Sequence, residues 1–342
     1  MKIKRLYLEN FRLYEKEEFE FDKSINIISG ANASGKTSIL EAIYFCLYGK
    51  SFKSRDIDAI KFDKDYFSLN LYLNMENHTS VKSNVYVEKS GLKRIIINEK
   101  KINKLSELID KFNLILFQPN SVNLIKGDPS IRRRFLDMIM IKIYPHMFFV
   151  VSDFNKVIQN RNAFLKSNSK NDIIDVYDQE LSILSESIIN KRIEIIKRIS
   201  ECFNFIFNFL IDENQNISIE YKNSLKVFDK QEIYKILINN RKKDTEMKYT
   251  TKGPHRDDFE VYINNKNSKI FASEGQIKLL TIALILSIAE ITQDPILLLD
   301  DIFSELDIKK RNKVIEFCQK YQTFITTTDD NFEGKIYYIS RM

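Results

Sequence analysis

The spacing of apolar residues changes twice along this chain of 342 residues. At the start it has a period of two. Lys2 to Leu8 alternates, as does Glu18 to Ser29 before it turns continuously apolar at Ile25-Asn26-Ile27-Ile28. Between Tyr66 and Asn98 the segments "YFSLNLYLN", "SNVYVEK" and "LKRIIIN" alternate again. Such a period puts every second side chain on one face, so strands are predicted, the last group as an antiparallel sheet with polar turns. "NLILFQP" predicts another short strand, ended by Pro119.

Near Gly127 the period lengthens. To about Lys243 the apolar residues fall mostly three and four apart, and no glycine stands between Gly127 and Gly253. This predicts helices, the first capped by Asp128 with Pro129 at its first position. "NISIEYKN" predicts a strand within the helical stretch. After Gly253 the pattern is strand, helix, strand: Phe259 to Asn264, Gly275 to Ile291, Pro295 to Leu299, Val314 to Tyr321 and Thr323 to Thr327. With α/β pieces at both ends, the economical expectation is one α/β domain, 1–125 plus 249–342, interrupted by a helical lobe, 126–248.

Composition narrows the class. At 44% hydrophobic and 29% charged the chain is an ordinary globular protein, and a formal charge of +6 is compatible with a nucleic-acid partner. Cys46, Cys202 and Cys318 form no CxxC, which argues against a zinc site or a disulfide framework. His78, His146 and His255 are scattered, with no triad or metal-ligand spacing. The longest apolar run, Ile277 to Ile291, carries Lys278 and Glu290 and is shorter than the roughly 20 residues of a membrane span. The N-terminus reads as a strand, not a signal peptide. A cytoplasmic protein is expected.

Chemistry first appears in "GANASGKTS". Gly30, Gly35, Lys36 and Thr37 fit GxxxxGK[ST] between a predicted strand and a predicted helix. The backbone from Gly30 through Ala31, Asn32, Ala33, Ser34 and Gly35 would wrap a phosphate. Lys36 would reach its oxygens, and Thr37 and Ser38 open the helix whose N-terminus faces the anion. Thr37 would bind Mg²⁺. In "PILLLDDIFSELD", Asp300 and Asp301 follow a strand apolar enough to be buried on both faces, at the end where open α/β sheets bind ligands. Adjacent carboxylates there repel unless a cation lies nearby. Asp300 would hold Mg²⁺ through Thr37 and water, and Asp301 would polarise the attacking water.

"SEGQ", Ser273 to Gln276, opens the long apolar helix. As a capping box it satisfies that helix's own amides. With Gly275 in the first turn, it also presents a helix N-terminus to a phosphate. Arg132-Arg133-Arg134 point to different faces, and either salt pairing or a ligand fits them. Lys191-Arg192, Lys197-Arg198 and Arg241-Lys242-Lys243 read as solvated helix faces. In "GPHRDD", Arg256 has Asp257 and Asp258 as available partners. Phe203, Phe205, Phe207 and Phe209 read as core of the helical lobe.

In their order, these segments resemble the ABC-type ATPase heads of the SMC family, and closely the RecF family of bacterial recombination mediators. The resemblance covers essentially the whole chain. It runs through "LENFRLYEKEEFEF", "GANASGKTSILEAI", "PNSVNLIKGDPSIRRRFLD", "TKGPHRDDF", "SEGQ", "SELD" and "FITTTDD". It implies an α/β ATPase head with an inserted, mainly helical lobe, using ATP and Mg²⁺. It places Gln118 between metal and water, Arg12 toward nucleotide phosphate, and Asp307 in a loop crossing a dimer seam. Ser273, Gly275 and Gln276 become a signature that faces the nucleotide of a second protomer. It also implies ATP-dependent homodimerisation on duplex or gapped DNA, weak DNA-stimulated ATP hydrolysis, RecR (with RecO) as partner, and a nucleoid-associated location. Two departures stand out. Asp301 occupies a position where many ABC proteins have Glu, and Thr328 replaces the switch histidine, which implies slow hydrolysis. A P-loop phosphotransferase and an ATP-gated binding module with negligible turnover are the rival classes.

Overall fold

The computed structural model describes residues 1–75, 79–109, 111–167, 173–329 and 335–339, so His78 and Asp330 lie outside the described residues. In chain order the first strands are β1 (Lys2–Phe11), β2 (Tyr14–Glu20), β3 (Ile25–Gly30), β4 (Tyr66–Asn74), β5 (Ser80–Glu88), β6 (Lys93–Ile97), β7 (Lys100–Lys101) and β8 (Leu114–Phe117). Then come β9 (Ile217–Lys222), β10 (Asp258–Ile263), β11 (Lys266–Asn267), β12 (Ile296–Leu299), β13 (Gln322–Thr327) and β14 (Lys335–Ile339). The helices begin with α1 (Lys36–Tyr48), α2 (Ser106–Ile109), α3 (Asn123–Lys126), α4 (Pro129–Ile143) and α5 (Met147–Ser167). They continue with α6 (Ile173–Ile211), α7 (Lys230–Met247), α8 (Ser268–Phe271), α9 (Glu274–Ile291) and α10 (Ile308–Cys318). Packing divides them into two units: residues 1–121, 209–211 and 288–342, and residues 122–208 and 212–287.

In the first unit an antiparallel sheet, β2-β1-β4-β5-β6-β7, and a parallel sheet, β14-β3-β13-β12-β8, share one core. Strand β4 alternates buried and half-buried along its whole length, as its sequence period requires. Strand β12 is buried at every position, which four aliphatic side chains permit. Helix α1 touches strands of both sheets and is buried nearly all round, hence its lack of a polar stripe. The buried Gln322 amide links the sheets, accepting from Ile3 N at 2.6 Å and donating to Ile3 O at 2.7 Å. The stretch expected as one strand from Glu18 to Ser29 is divided between two sheets, with a turn between them in which Asp22 N donates to Asn26 Oδ1 at 2.7 Å.

The second unit packs α4–α7 and most of α9 with a small antiparallel sheet, β11-β10-β9. Here the chain divides differently from the expected boundaries. Residues 249–287 belong with the helical elements because β10 finds its partner in β9, from Asp258 opposite Lys222 to Ile263 opposite Ile217. Asp128 does stand at the N-cap of α4 with Pro129 following, but its side chain caps no amide. Phe203 and Phe207 are buried, whereas Phe205 is exposed and Phe209 belongs to the first unit.

Of the basic residues expected on solvated faces, Arg192 is buried and Arg241 half-buried, and both are ion-paired, as are two arginines outside that set, Arg161 and Arg132. Arg161, fully buried, donates to Asp178 at 2.7 Å, Asp244 at 2.8 Å and Thr250 Oγ1 at 2.9 Å. Arg241 donates to Asp178 at 2.6 Å and Asp175 at 2.7 Å, and the buried Arg192 to Asp137 at 2.7 Å and Pro254 O at 2.8 Å. Arg132 forks onto both Asp258 oxygens at 2.6 and 2.8 Å. Helical spacing could not show this, because each partner lies on another element. Among the described residues, no helix is long and apolar enough to cross a membrane.

Breaking one partner of a buried ion network strands the other charges. Arg161→Ala should therefore destabilise the fold by about 3 kcal/mol or more, read as a lower urea midpoint at unchanged slope. An unchanged midpoint would show that Arg241 alone satisfies Asp178.

Candidate nucleotide site

Four strands of the parallel sheet run in matched register, with Ile25 opposite Thr323, Ile296 opposite Gln322 and Ile296 opposite Leu114. They therefore finish along one edge. That edge receives the phosphate loop after β3, Gln118 after β8, Asp300-Asp301 after β12 and Thr328 after β13. Residues remote in sequence thus converge by strand pairing alone, at the edge where open α/β sheets bind ligands.

The loop from Gly30 to Gly35 turns on two left-handed residues, Ala33 (φ 63°) and Gly35 (φ 105°), the latter capping α1. A side chain at Gly35 would meet the Tyr14 hydroxyl at 3.0 Å, so glycine is required twice over, by φ and by space. Tyr14 OH donates to Gly35 O at 3.2 Å. Ser34 Oγ is buried without a hydrogen-bond partner, an orphan that a bound oxygen would satisfy. Lys36 Nζ donates to the Gly30 and Ala31 carbonyls, both at 2.7 Å. Burial lowers its pKa, and the charges of Asp301 and Asp300 oppose that shift. These features fit a nucleotide phosphate.

Asp300 is only 6% exposed. Its Oδ1 accepts from Thr37 Oγ1 at 2.8 Å and from Thr326 Oγ1 at 2.7 Å. Burial raises its pKa, the two hydroxyls lower it, Asp301 raises it again, and Lys53 opposes. A buried, oxygen-rich pair such as Thr37 and Asp300 suits a hard cation, so the residues fit Mg²⁺. Asp301 lies in the left-handed region (φ 50°), with its N–H donating to Thr326 Oγ1 at 2.9 Å. Thr326 thus orients both aspartates. Gln118, half-buried, turns the chain after β8, its carbonyl accepting from Ser121 N at 2.8 Å.

Arg12 is anchored close by. Its guanidinium forks onto Glu41, at 2.9 Å from Nε to Oε2, and also donates to Ser54 Oγ at 2.8 Å and Asp58 O at 2.7 Å. Glu41, fully buried on α1, also accepts from Ser51 Oγ at 2.6 Å. This fastens the segment bearing Lys53 to the helix that starts at the phosphate loop. Asp307 caps α10 by accepting from Lys310 N at 2.9 Å. Arg311 joins the loop before that helix to the end of β13, donating to Leu306 O at 2.9 Å and pairing with Asp329, next to the exposed Thr328.

Thr326, Glu41, Lys53, Tyr14 and Arg311 escaped sequence reasoning. Two had a signal. A glutamate amid the apolar residues of a helix and a threonine within a buried strand both need a polar partner.

In the second unit, "SEGQ" forms the reciprocal cap. Ser273 N donates to Gln276 Oε1 at 2.9 Å, and Gln276 N to Ser273 Oγ at 3.3 Å. Ser273, Glu274 and Gly275 are exposed, and a side chain placed at Gly275 would meet nothing within 4 Å. Arg256 pairs with neither adjacent aspartate. Asp258 is taken by Arg132, and Asp257 by Tyr221 OH and Ser224 N.

A glycine loop closed on a helix N-terminus, with an acidic strand end hydrogen-bonded to the loop threonine, defines a P-loop nucleotide-binding head. Residues 2–336 match the family described as "RecF/RecN/SMC N terminal domain", and the chain belongs to that family. It is 38% identical over 339 residues to the DNA replication and repair protein RecF of Clostridium botulinum (strain ATCC 19397 / Type A), covering 96% of this chain and 93% of that one. Against RecF of Clostridium beijerinckii (strain ATCC 51743 / NCIMB 8052) the identity is 37% over 336 residues, covering 95% and 91%. Among solved structures, the recombination mediator protein RecF-ATP in the RecFOR pathway superposes with TM-score 0.88 at 29% identity, covering 99% of this chain and 95% of that one. An Smc head bound to the C-winged helix domain of ScpA follows at 0.62 and 20% identity, covering 96% and 90%, a likeness of fold.

Thr326→Val removes one hydroxyl while keeping the shape of the strand. It should lower Mg²⁺-dependent ATP hydrolysis by about 10- to 100-fold, the usual effect of losing a partner of a metal ligand. Nucleotide affinity measured with EDTA should change far less. Equal losses with and without metal would place Thr326 in the fold and not in the metal site.

Proposed function

We propose that the chain is an ATPase of DNA replication and repair that closes as a homodimer around ATP on DNA and opens on hydrolysis. The observation that carries the nucleotide part is the Thr37–Asp300–Thr326 cluster against the phosphate loop. The loop amides and Lys36 hold the phosphates, and Thr37 with Asp300 holds Mg²⁺, which when bound neutralises phosphate charge. Gln118 stands at the same edge, between metal and water. Asp301, beside Lys36 but without a hydrogen bond to its carboxylate among the described residues, accepts a proton from the attacking water.

The dimer part rests on Gly275. Its own chain leaves that position open, so no packing contact within the chain requires glycine there. With the Ser273 and Gln276 amides taken by the cap, those of Glu274 and Gly275 are left for an anion brought by another copy. ATP touched by Lys36 of one copy and Ser273 of another favours the closed dimer because only that state makes both contacts. Asp307 lies along the seam. The uncharged Thr328 makes turnover slow, and at the limit the protein would act as an ATP-gated binding module. RecR with RecO as partners is supported by the solved relative's place in the RecFOR pathway; DNA gaps as substrate and loading of recombinase belong to the same proposal.

The ATPase rate per protomer should rise with protein concentration and with duplex DNA, and Asp301→Asn should bind ATP and accumulate dimer in sedimentation. A flat rate, together with a monomeric ATP-bound Asp301→Asn, would instead favour a phosphotransferase-like monomer.

Serine at the cap separates two roles. Ser273→Ala should cost about 1 kcal/mol of stability through the lost cap, whereas Ser273→Arg should leave ATP binding intact and abolish the ATP dimer. A dimer that survives Ser273→Arg would restrict "SEGQ" to helix capping.

A further inference from the structure

The segment Thr251 to Phe259, "TKGPHRDDF", turns almost every polar side chain inward. Thr251 Oγ1 donates to Asp244 at 2.7 Å, Lys252 Nζ to Ser224 O at 3.1 Å, and His255 Nε2 meets Thr250 O at 2.9 Å. The two aspartates that follow Arg256 are already engaged, Asp258 by Arg132 and Asp257 by Tyr221 and Ser224. Arg256 is the exception. It is exposed, its Cζ sits over the Tyr249 ring 4.8 Å from the centroid, and its side chain makes no hydrogen bond or ion pair among the described residues.

Arg133 donates one N–H to Asp257 O at 2.9 Å; burial first and the charge of Arg192 next lower its pKa, and Arg256 adds to this while Asp258 and Asp257 oppose it. With Asp258 engaged by Arg132 and Asp257 by Tyr221 and Ser224, the Arg256 side chain leaves an exposed, unpaired positive surface. Such a surface is stabilised by an anion from outside. Stacking on tyrosine contributes little energy at an exposed site but fixes the plane of the guanidinium, so less freedom is lost when its fork meets two oxygens. A phosphodiester presents two such oxygens and requires no base contact.

We propose that Arg256, stacked on Tyr249 beside Arg133, contacts the phosphate backbone of duplex DNA. The assignment rests on the DNA-binding function proposed above, and names the surface for it.

The test is duplex binding by fluorescence anisotropy across a salt series, with ATP and Mg²⁺ present. Arg256→Ala should weaken affinity about 5- to 10-fold and reduce the slope of log K against log salt by about 0.9, the loss of one phosphate contact. Its melting temperature and its affinity for a fluorescent ATP analogue should match wild type. Tyr249→Leu keeps the charge and removes the platform, so it should lower affinity with the slope unchanged. A wild-type slope in Arg256→Ala would overturn the inference and leave an acidic protein partner as the occupant of that arginine. So would loss of ATP-analogue binding with an unaltered DNA slope. Wild-type protein that fails to bind duplex at low salt would instead sink the DNA function itself.

Discussion

The first unit depends on how one buried carboxylate is held. Asp300 ends a strand with no polar side chain, so its charge is taken out of water by the same packing that makes the parallel sheet. It keeps that place because Thr37 on α1 and Thr326 on β13 both donate to it. Those hydroxyls join the helix that carries the phosphate loop to the two central strands. Fold and chemistry meet at that carboxylate: the packing that buries it lets a cation compete with its proton, and the donors that stabilise it line up the loop.

The second unit solves a similar problem with arginine. Its helices bury Arg161 and Arg192 entirely or nearly so, and each is matched by aspartates from other elements. Such networks are poor sources of net stability, since desolvation offsets most of the attraction, but they penalise misalignment heavily. They reach "TKGPHRDDF" through Asp244, which accepts from Thr251, and Pro254, whose carbonyl accepts from Arg192, while Arg132, Tyr221 and Ser224 engage the acids beside Arg256.

Much of this was legible beforehand. The period-two stretches became strands, the long-period stretch became helices, and the phosphate loop fell between a strand and a helix. The capping box at Ser273 and Gln276 formed as its spacing implied. Less visible were the supports: Thr326 beneath both aspartates, Glu41 fastening Arg12 and the Lys53 segment, and Arg311 tying Leu306 to Asp329. Each acts through a contact between residues far apart in the chain, for which a period or a motif carries no signal.

The sequence by itself determined the elements, the phosphate loop and the acidic strand end, because periodicity, turn chemistry and short motifs are local properties. Tertiary structure alone decided which charges are interior and where the chain divides. Arg192 and Arg241 looked solvated until the aspartates of other helices arrived beside them, and residues 249–287 joined the second unit only because β10 found its hydrogen-bonding edge in β9. Burial of a charge, and pairing of a strand, are settled by partners that local pattern does not contain.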